Sequence, residues 1–95
     1  MTVRYFDWDE EKSQELKSER EVGFEEVLDA IDNNRVLDRI DHPNKKRYPN
    51  QRIMIVKIDD YVYLVPFVED KEKIFLKTVI PSRKMTKKYL IKKEK

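Results

Sequence analysis

Ile53-Met-Ile-Val-Lys-Ile58-Asp-Asp-Tyr61-Val-Tyr-Leu-Val-Pro-Phe-Val68 decides the architecture. Two runs of β-branched and aromatic residues flank a pair of aspartates, the length of a tight hairpin loop. Asp59-Asp60 is a poorer turn than Asn-Gly, yet the flanking runs predict an antiparallel hairpin. After the polar turn Glu69-Asp-Lys-Glu-Lys73, a third apolar run, Ile74–Ile80, extends the hairpin into a meander. Pro66 then falls in a strand with partners on both sides. Proline donates no ladder hydrogen bond, so a bulge or an end to regular pairing is expected there.

Upstream of the meander, Phe24, Val27, Leu28 and Ile31 recur at i, i+3, i+4 and i+7, the stripe of an amphipathic helix ending at Asn33-Asn34. The stripe is expected to pack on Ile55, Leu64 and Leu76 or their strand neighbours. Before it, Asp7 or Asp9 can cap a first helix reaching about Glu19, with an acidic first turn that suits the helix dipole. Its apolar content is thin, mainly Trp8 and Leu16, so it belongs on the surface. Gly23, the sole glycine, separates the helices as a left-handed C-cap or a new N-cap. Val3–Phe6 reads as a short opening strand and Val36–Ile40 as another, followed by the polar loop Asp41–Asn50. The expected class is α+β: a small antiparallel sheet packed with two N-terminal helices and closed by a C-terminal basic helix. The order is β-α-α-β-β-β-β-α, in a single domain over residues 1–95.

Composition narrows the chemistry. With no cysteine, disulfides, thiolate zinc sites and thiol nucleophiles are excluded; one histidine and one glycine leave no zinc set and no Walker loop. No metal and no cofactor are expected. No apolar run suits a membrane span and Met1-Thr-Val-Arg-Tyr5 has no signal-peptide pattern, so a cytoplasmic protein is expected.

Charge is divided along the chain. Residues 1–41 carry six basic and thirteen acidic side chains, a net −7, and residues 42–95 carry fifteen and six, a net +9. The final 19 residues hold eight cations, Lys77, Arg83, Lys84, Lys87, Lys88, Lys92, Lys93 and Lys95, against Glu94 alone. A strand ending in such a segment presents an edge suited to a polyanion. The last four residues, Lys92–Lys95, are expected to fray.

RNA cleavage needs no metal when the ribose 2′-hydroxyl attacks the adjacent phosphorus. The protein must then take up a proton, stabilise the phosphorane and protonate the leaving oxygen. Arg83, at the end of the last strand, suits a two-pronged phosphate clamp. His42, Arg52 and Tyr89 are further catalytic candidates, and Lys77, Lys84, Lys87 and Lys88 are candidate RNA contacts. Structural alternatives stand beside them: His42 as an exposed loop residue before Pro43, Arg52 as a flanking charge, and Tyr89 packing with Met85.

Phe6-x-Trp8-Asp9-x-x-Lys12, Gly23-Phe24-Glu25-Glu26-Val27 and Lys77-Thr-Val-Ile-Pro-Ser-Arg-Lys-x-Thr-Lys-Lys-Tyr89 together resemble the BrnT family of bacterial type II toxins. That family has Phe-x-Trp-Asp at its opening, a Ser-Phe-Glu-Glu segment, and a closing strand that ends in Ser-Ala-Arg before a basic helix. The resemblance implies a RelE-like fold, RNA cleavage that inhibits translation, and a ribbon-helix-helix antitoxin as partner, with RNA engaged on or off the ribosome. It carries Arg83 onto the terminal-strand arginine and Tyr89 onto the aromatic residue after it. Gly23 stands in place of the family's serine cap, and Pro81 where the family has a main-chain donor. The rival is a non-catalytic module that binds nucleic acid or protein through the same basic edge.

Overall fold

The computed structural model describes residues 5–91, and the expected frayed end, Lys92–Lys95, lies outside them. The opening strand is seen from Tyr5 onward as β1 (Tyr5–Asp7). It is followed by α1 (Glu10–Arg20), α2 (Phe24–Asp32), β2 (Val36–Asp41), β3 (Gln51–Ile58), β4 (Tyr61–Glu69), β5 (Lys73–Leu76), β6 (Ile80–Pro81) and α3 (Arg83–Thr86). A π-helical turn, Lys87–Ile91, continues α3.

The meander forms as expected. β3 and β4 pair antiparallel from Ile58↔Tyr61 to Gln51↔Val68. Of the two loop residues Asp59 takes a left-handed φ of 58°, which aspartate tolerates better than most residues. The sheet order is β1-β5-β4-β3-β2, with β6 also on β4. Its pairings are antiparallel apart from the edge pair β1 and β5, which run parallel with Phe6 opposite Ile74.

Pro66 interrupts one side of its strand. Toward β3 the register runs unbroken through Ile53↔Pro66. Toward the other neighbour, Lys77 N–H donates to the Pro66 carbonyl, and from there the expected strand Ile74–Ile80 divides into β5 and β6. A residue's N–H and C=O point to the same neighbour in an antiparallel ladder, so proline's missing donor lies on the side where pairing fails. The Arg20 guanidinium, from α1, satisfies the Val79 carbonyl in this break at 2.6 Å.

The helices cover one sheet face. Leu16, Val22, Phe24, Val27 and Ala30 pack with Met54, Val56, Ile58, Val65, Phe67, Leu76 and Val79. One expectation is corrected here and another is narrowed. Phe24 and Val27 are buried and Ile31 packs at the margin, but the fourth place goes to Ala30, with Leu28 half-buried. Of the facing residues allowed for, it is the strand neighbours Met54, Val56 and Val65 that point toward the helices, and Ile55 and Leu64 point away. Leu76 is buried in the same helix-covered core.

The first helix is capped by Asp9, whose side chain accepts from Glu11 and Lys12 N–H groups. Its left-handed C-cap is Glu21, φ 62°, and Gly23 is the N-cap of α2. Gly23 supplies no hydroxyl, and Ser13 of α1 does so instead, accepting from Phe24 N–H at 3.1 Å. Glu26 completes the turn by accepting from Gly23 N–H at 2.8 Å, and it also forms an ion pair with Lys17. Burial pushes the Glu26 carboxyl up, but Lys17 and the Gly23 and Glu26 backbone N–H groups outweigh it and hold the pKa below the ordinary carboxylate value.

Candidate nucleic-acid interface

The C-terminal helical segment is pinned to the second sheet face. Ser82 N–H donates to the Val62 carbonyl, and Val62 N–H donates to Oγ1 of buried Thr86 at 2.9 Å. Thr86 in turn donates to the Ser82 carbonyl, and Ser82 Oγ accepts from Met85 N–H as the helix N-cap. A strand end, a cap and the first helical turn are thus one hydrogen-bonded joint, and Arg83 is the first residue of that turn.

From that joint the side chains divide. Met85, Thr86, Tyr89 and Leu90 are half-buried or buried, whereas Arg83, Lys84, Lys87 and Lys88 are exposed. The cations fall at i, i+1, i+4 and i+5, which gathers them on one outward stripe. Among the described residues, no carboxylate lies within ion-pair distance of any of the four. Four close, unneutralised cations on a fixed segment attract an anion with regularly spaced charges.

Tyr89 turns inward across the sheet. Its hydroxyl donates to Asp38 Oδ2 of β2 at 3.4 Å, and the Lys88 ammonium lies 5.7 Å from its ring. Burial, the Asp38 charge and the hydrogen bond to Asp38 all raise the phenol pKa, so Tyr89 keeps its proton at neutral pH. Asp38 belongs to no sequence motif and meets Tyr89 through β2, whose bulge at Leu37 sets its register. Together they offer a proton donor and a carboxylate base beside the cationic stripe.

His42 and Arg52 stand elsewhere. Arg52 lies between Asp41, 3.6 Å from Nε, and Glu69, 3.6 Å from a terminal nitrogen, and so ties β2 and β4 across β3. His42 Nδ1 accepts from Asn44 N–H at 3.0 Å, and its ring packs 4.5 Å from the Tyr48 ring. Both occupy the loop end of the sheet, whereas the Arg83 joint is at the hairpin end. Arg52 and Ile58, at the hairpin end, are six positions apart in β3, roughly 20 Å of strand, and Asp38, opposite Ile55, lies midway between them. Arg83 and Tyr89 share one helical segment, whereas His42 and Arg52 lie apart from it with separate partners of their own. Lys77 is exposed within the break between β5 and β6, its ammonium 5.6 Å from the Phe75 ring. Among the described residues no group of three His, Asp or Glu side chains is placed to hold a metal ion, and no helix is long and apolar enough to cross a membrane.

The chain has a family and a fold in common with known proteins. A family model described as the ribonuclease toxin BrnT of type II toxin-antitoxin systems matches residues 8–88. The 1.1 Å crystal structure of the Brucella abortus ribonuclease toxin BrnT is similar in fold, with a TM-score of 0.60 at 16% identity. The match covers 84% of this chain and 97% of that one. No curated protein matches the sequence.

Proposed function

Because the chain belongs to the BrnT family of ribonuclease toxins of type II toxin-antitoxin systems, and so has an antitoxin as its partner, we propose that it cleaves RNA at the C-terminal helical segment without a metal. The observation that carries this reading is the outward stripe of Arg83, Lys84, Lys87 and Lys88, which has no carboxylate at ion-pair distance among the described residues. Lys84, Lys87 and Lys88 hold the RNA backbone, and Arg83 clamps the scissile phosphate through two parallel N–H donors. Asp38 takes the proton from the ribose 2′-hydroxyl. The 2′-oxygen then attacks phosphorus, and Arg83 stabilises the phosphorane charge. As the P–O5′ bond breaks, Tyr89 donates its proton to the leaving oxygen, giving a 2′,3′-cyclic phosphate and a 5′-hydroxyl. Arg52 and His42 support this centre from a distance, by holding the loop end of the sheet in register.

The antitoxin in this reading is a ribbon-helix-helix protein. RNA is the substrate on or off the ribosome, and its loss halts translation. The test is incubation of the purified protein with a defined single-stranded RNA in excess chelator. The expected result is undiminished cleavage with cyclic-phosphate and 5′-hydroxyl ends. Cleavage abolished by chelator, or 5′-phosphate ends, contradicts the mechanism. Tight RNA binding without any cleavage favours the non-catalytic binding module.

A further inference from the structure

We propose that the open end of the second sheet face, centred on Phe75 and Tyr5, is a stacking platform for an unpaired RNA base, with Lys77 and Lys73 on the adjoining phosphates. This rests on the RNA-cleaving reading above and extends the RNA path to a surface that the reaction does not use.

Strand register assembles the platform. β1 and β5 pair as Tyr5↔Lys73, Phe6↔Ile74 and Asp7↔Phe75. Phe6 and Ile74 pack on the core beneath the helices. Side chains alternate along a strand, so Tyr5, Asp7, Lys73, Phe75 and Lys77 belong to the opposite face. The C-terminal helical segment covers that face between Val62 and Asp38, but Tyr5 at the far edge remains 56% exposed and Phe75 is half-buried.

The chemistry around Phe75 selects the occupant. Lys73 and Lys77 place their ammonium groups 5.7 and 5.6 Å from its ring centre. Lys73 also meets Asp7 at 3.5 Å, whereas among the described residues Lys77 has no carboxylate at ion-pair distance. Lys77 is therefore the stronger phosphate contact. An acidic peptide satisfies the lysines but leaves the rings unused, and an apolar segment does the reverse. A single-stranded nucleic acid uses both, stacking a base on an aromatic ring while long, flexible amines reach the phosphates. Duplex RNA hides its base faces and does not fit.

Along β4, Val68, the partner of Phe75, is six residues from Val62, the anchor of the Arg83 joint, which is roughly 20 Å of strand. A strand of several nucleotides can span the platform and the cationic stripe together.

The test is fluorescence anisotropy with a 2′-O-methyl single-stranded RNA, which lacks the attacking hydroxyl and so reports binding alone. Phe75→Leu keeps apolar bulk and loses the ring; Tyr5→Ala changes an exposed residue that the core does not need. Each is expected to weaken binding by about tenfold, the ordinary loss for one base-stacking ring. Phe75→Trp is expected to restore affinity, and its indole to be quenched on binding while Trp8, on the helix side against Phe24, stays constant. Wild-type affinity in both Phe75→Leu and Tyr5→Ala overturns the platform, and the cleavage reading survives if Arg83 variants still lose activity. Ring-dependent binding by a wild-type protein that never cuts RNA supports the platform and removes the cleavage reading instead.

Discussion

Gly23 has no room for a side chain. A Cβ there would stand 2.9 Å from Ser13 Oγ and 3.0 Å from the Ser13 carbonyl oxygen, so the helices meet closely only because that atom is missing. Gly23→Ala is expected to lower stability by roughly 1–3 kcal/mol in thermal or denaturant unfolding, as overpacking does. An unchanged melting temperature would show that α1 can retreat without loss. The position illustrates what sequence reveals and what it hides. A lone glycine between two helical patterns marks a cap, but the hydroxyl that completes this cap comes from Ser13, on a different helix. Asp38 was hidden for a similar reason. It meets Tyr89 across 51 positions, and an isolated aspartate in a short strand carries no local signal. Arg83 was legible because a strand, a Pro-Ser turn and a basic run converge on it, and the structure shows the joint that those residues make.

At the scale of elements, periodicity identified α2 and the meander, and the departures concern parity and neighbours. The apolar stripe of α2 is where a 3.6-residue period puts it, yet Ala30 lies against the sheet and Leu28 at its border. Size suggested leucine for the centre, but the closeness of helix and strand decided for alanine. Phe24→Ala is therefore expected to cost about 3–5 kcal/mol. Leu28→Ala is expected to cost less than the ~2–5 kcal/mol of a fully buried leucine. Equal losses in urea unfolding would return Leu28 to the core. In β3, Ile53 to Val56 are all buried, so the run shows no alternation from which to choose the helix-facing set. The parallel pairing of β1 was equally silent, since three residues cannot declare a partner or a direction. Pro66 did announce its effect, because a missing donor has one geometric consequence wherever the strand lies.

Over the whole molecule, the charge division becomes a division in space. The acidic first part of the chain builds α1 and α2 on one side of the sheet, and the basic remainder supplies most of the sheet and the cationic segment on the other. A polyanion is steered toward the C-terminal segment and away from the helices, an attraction that weakens as salt rises. The sequence showed the imbalance, but only the topology places its two signs on opposite faces. The same topology separates Arg83 and Tyr89 from His42 and Arg52, four residues that types and charges alone had grouped as one centre.

The most direct test is the rate of RNA cleavage by wild type, Arg83→Lys and Arg83→Ala at matched concentrations of folded protein. Lysine keeps the charge but not the planar pair of donors, so both variants should lose activity nearly equally. The expected loss is on the order of 3–4 kcal/mol, a few hundredfold in rate, as for removal of one preorganised donor to a developing oxyanion. Arg83 is exposed and without an ion-pair partner among the described residues, so unfolding curves should coincide for all three proteins. Arg83→Ala cutting RNA at the wild-type rate would contradict the account and leave Arg83 as one more surface charge.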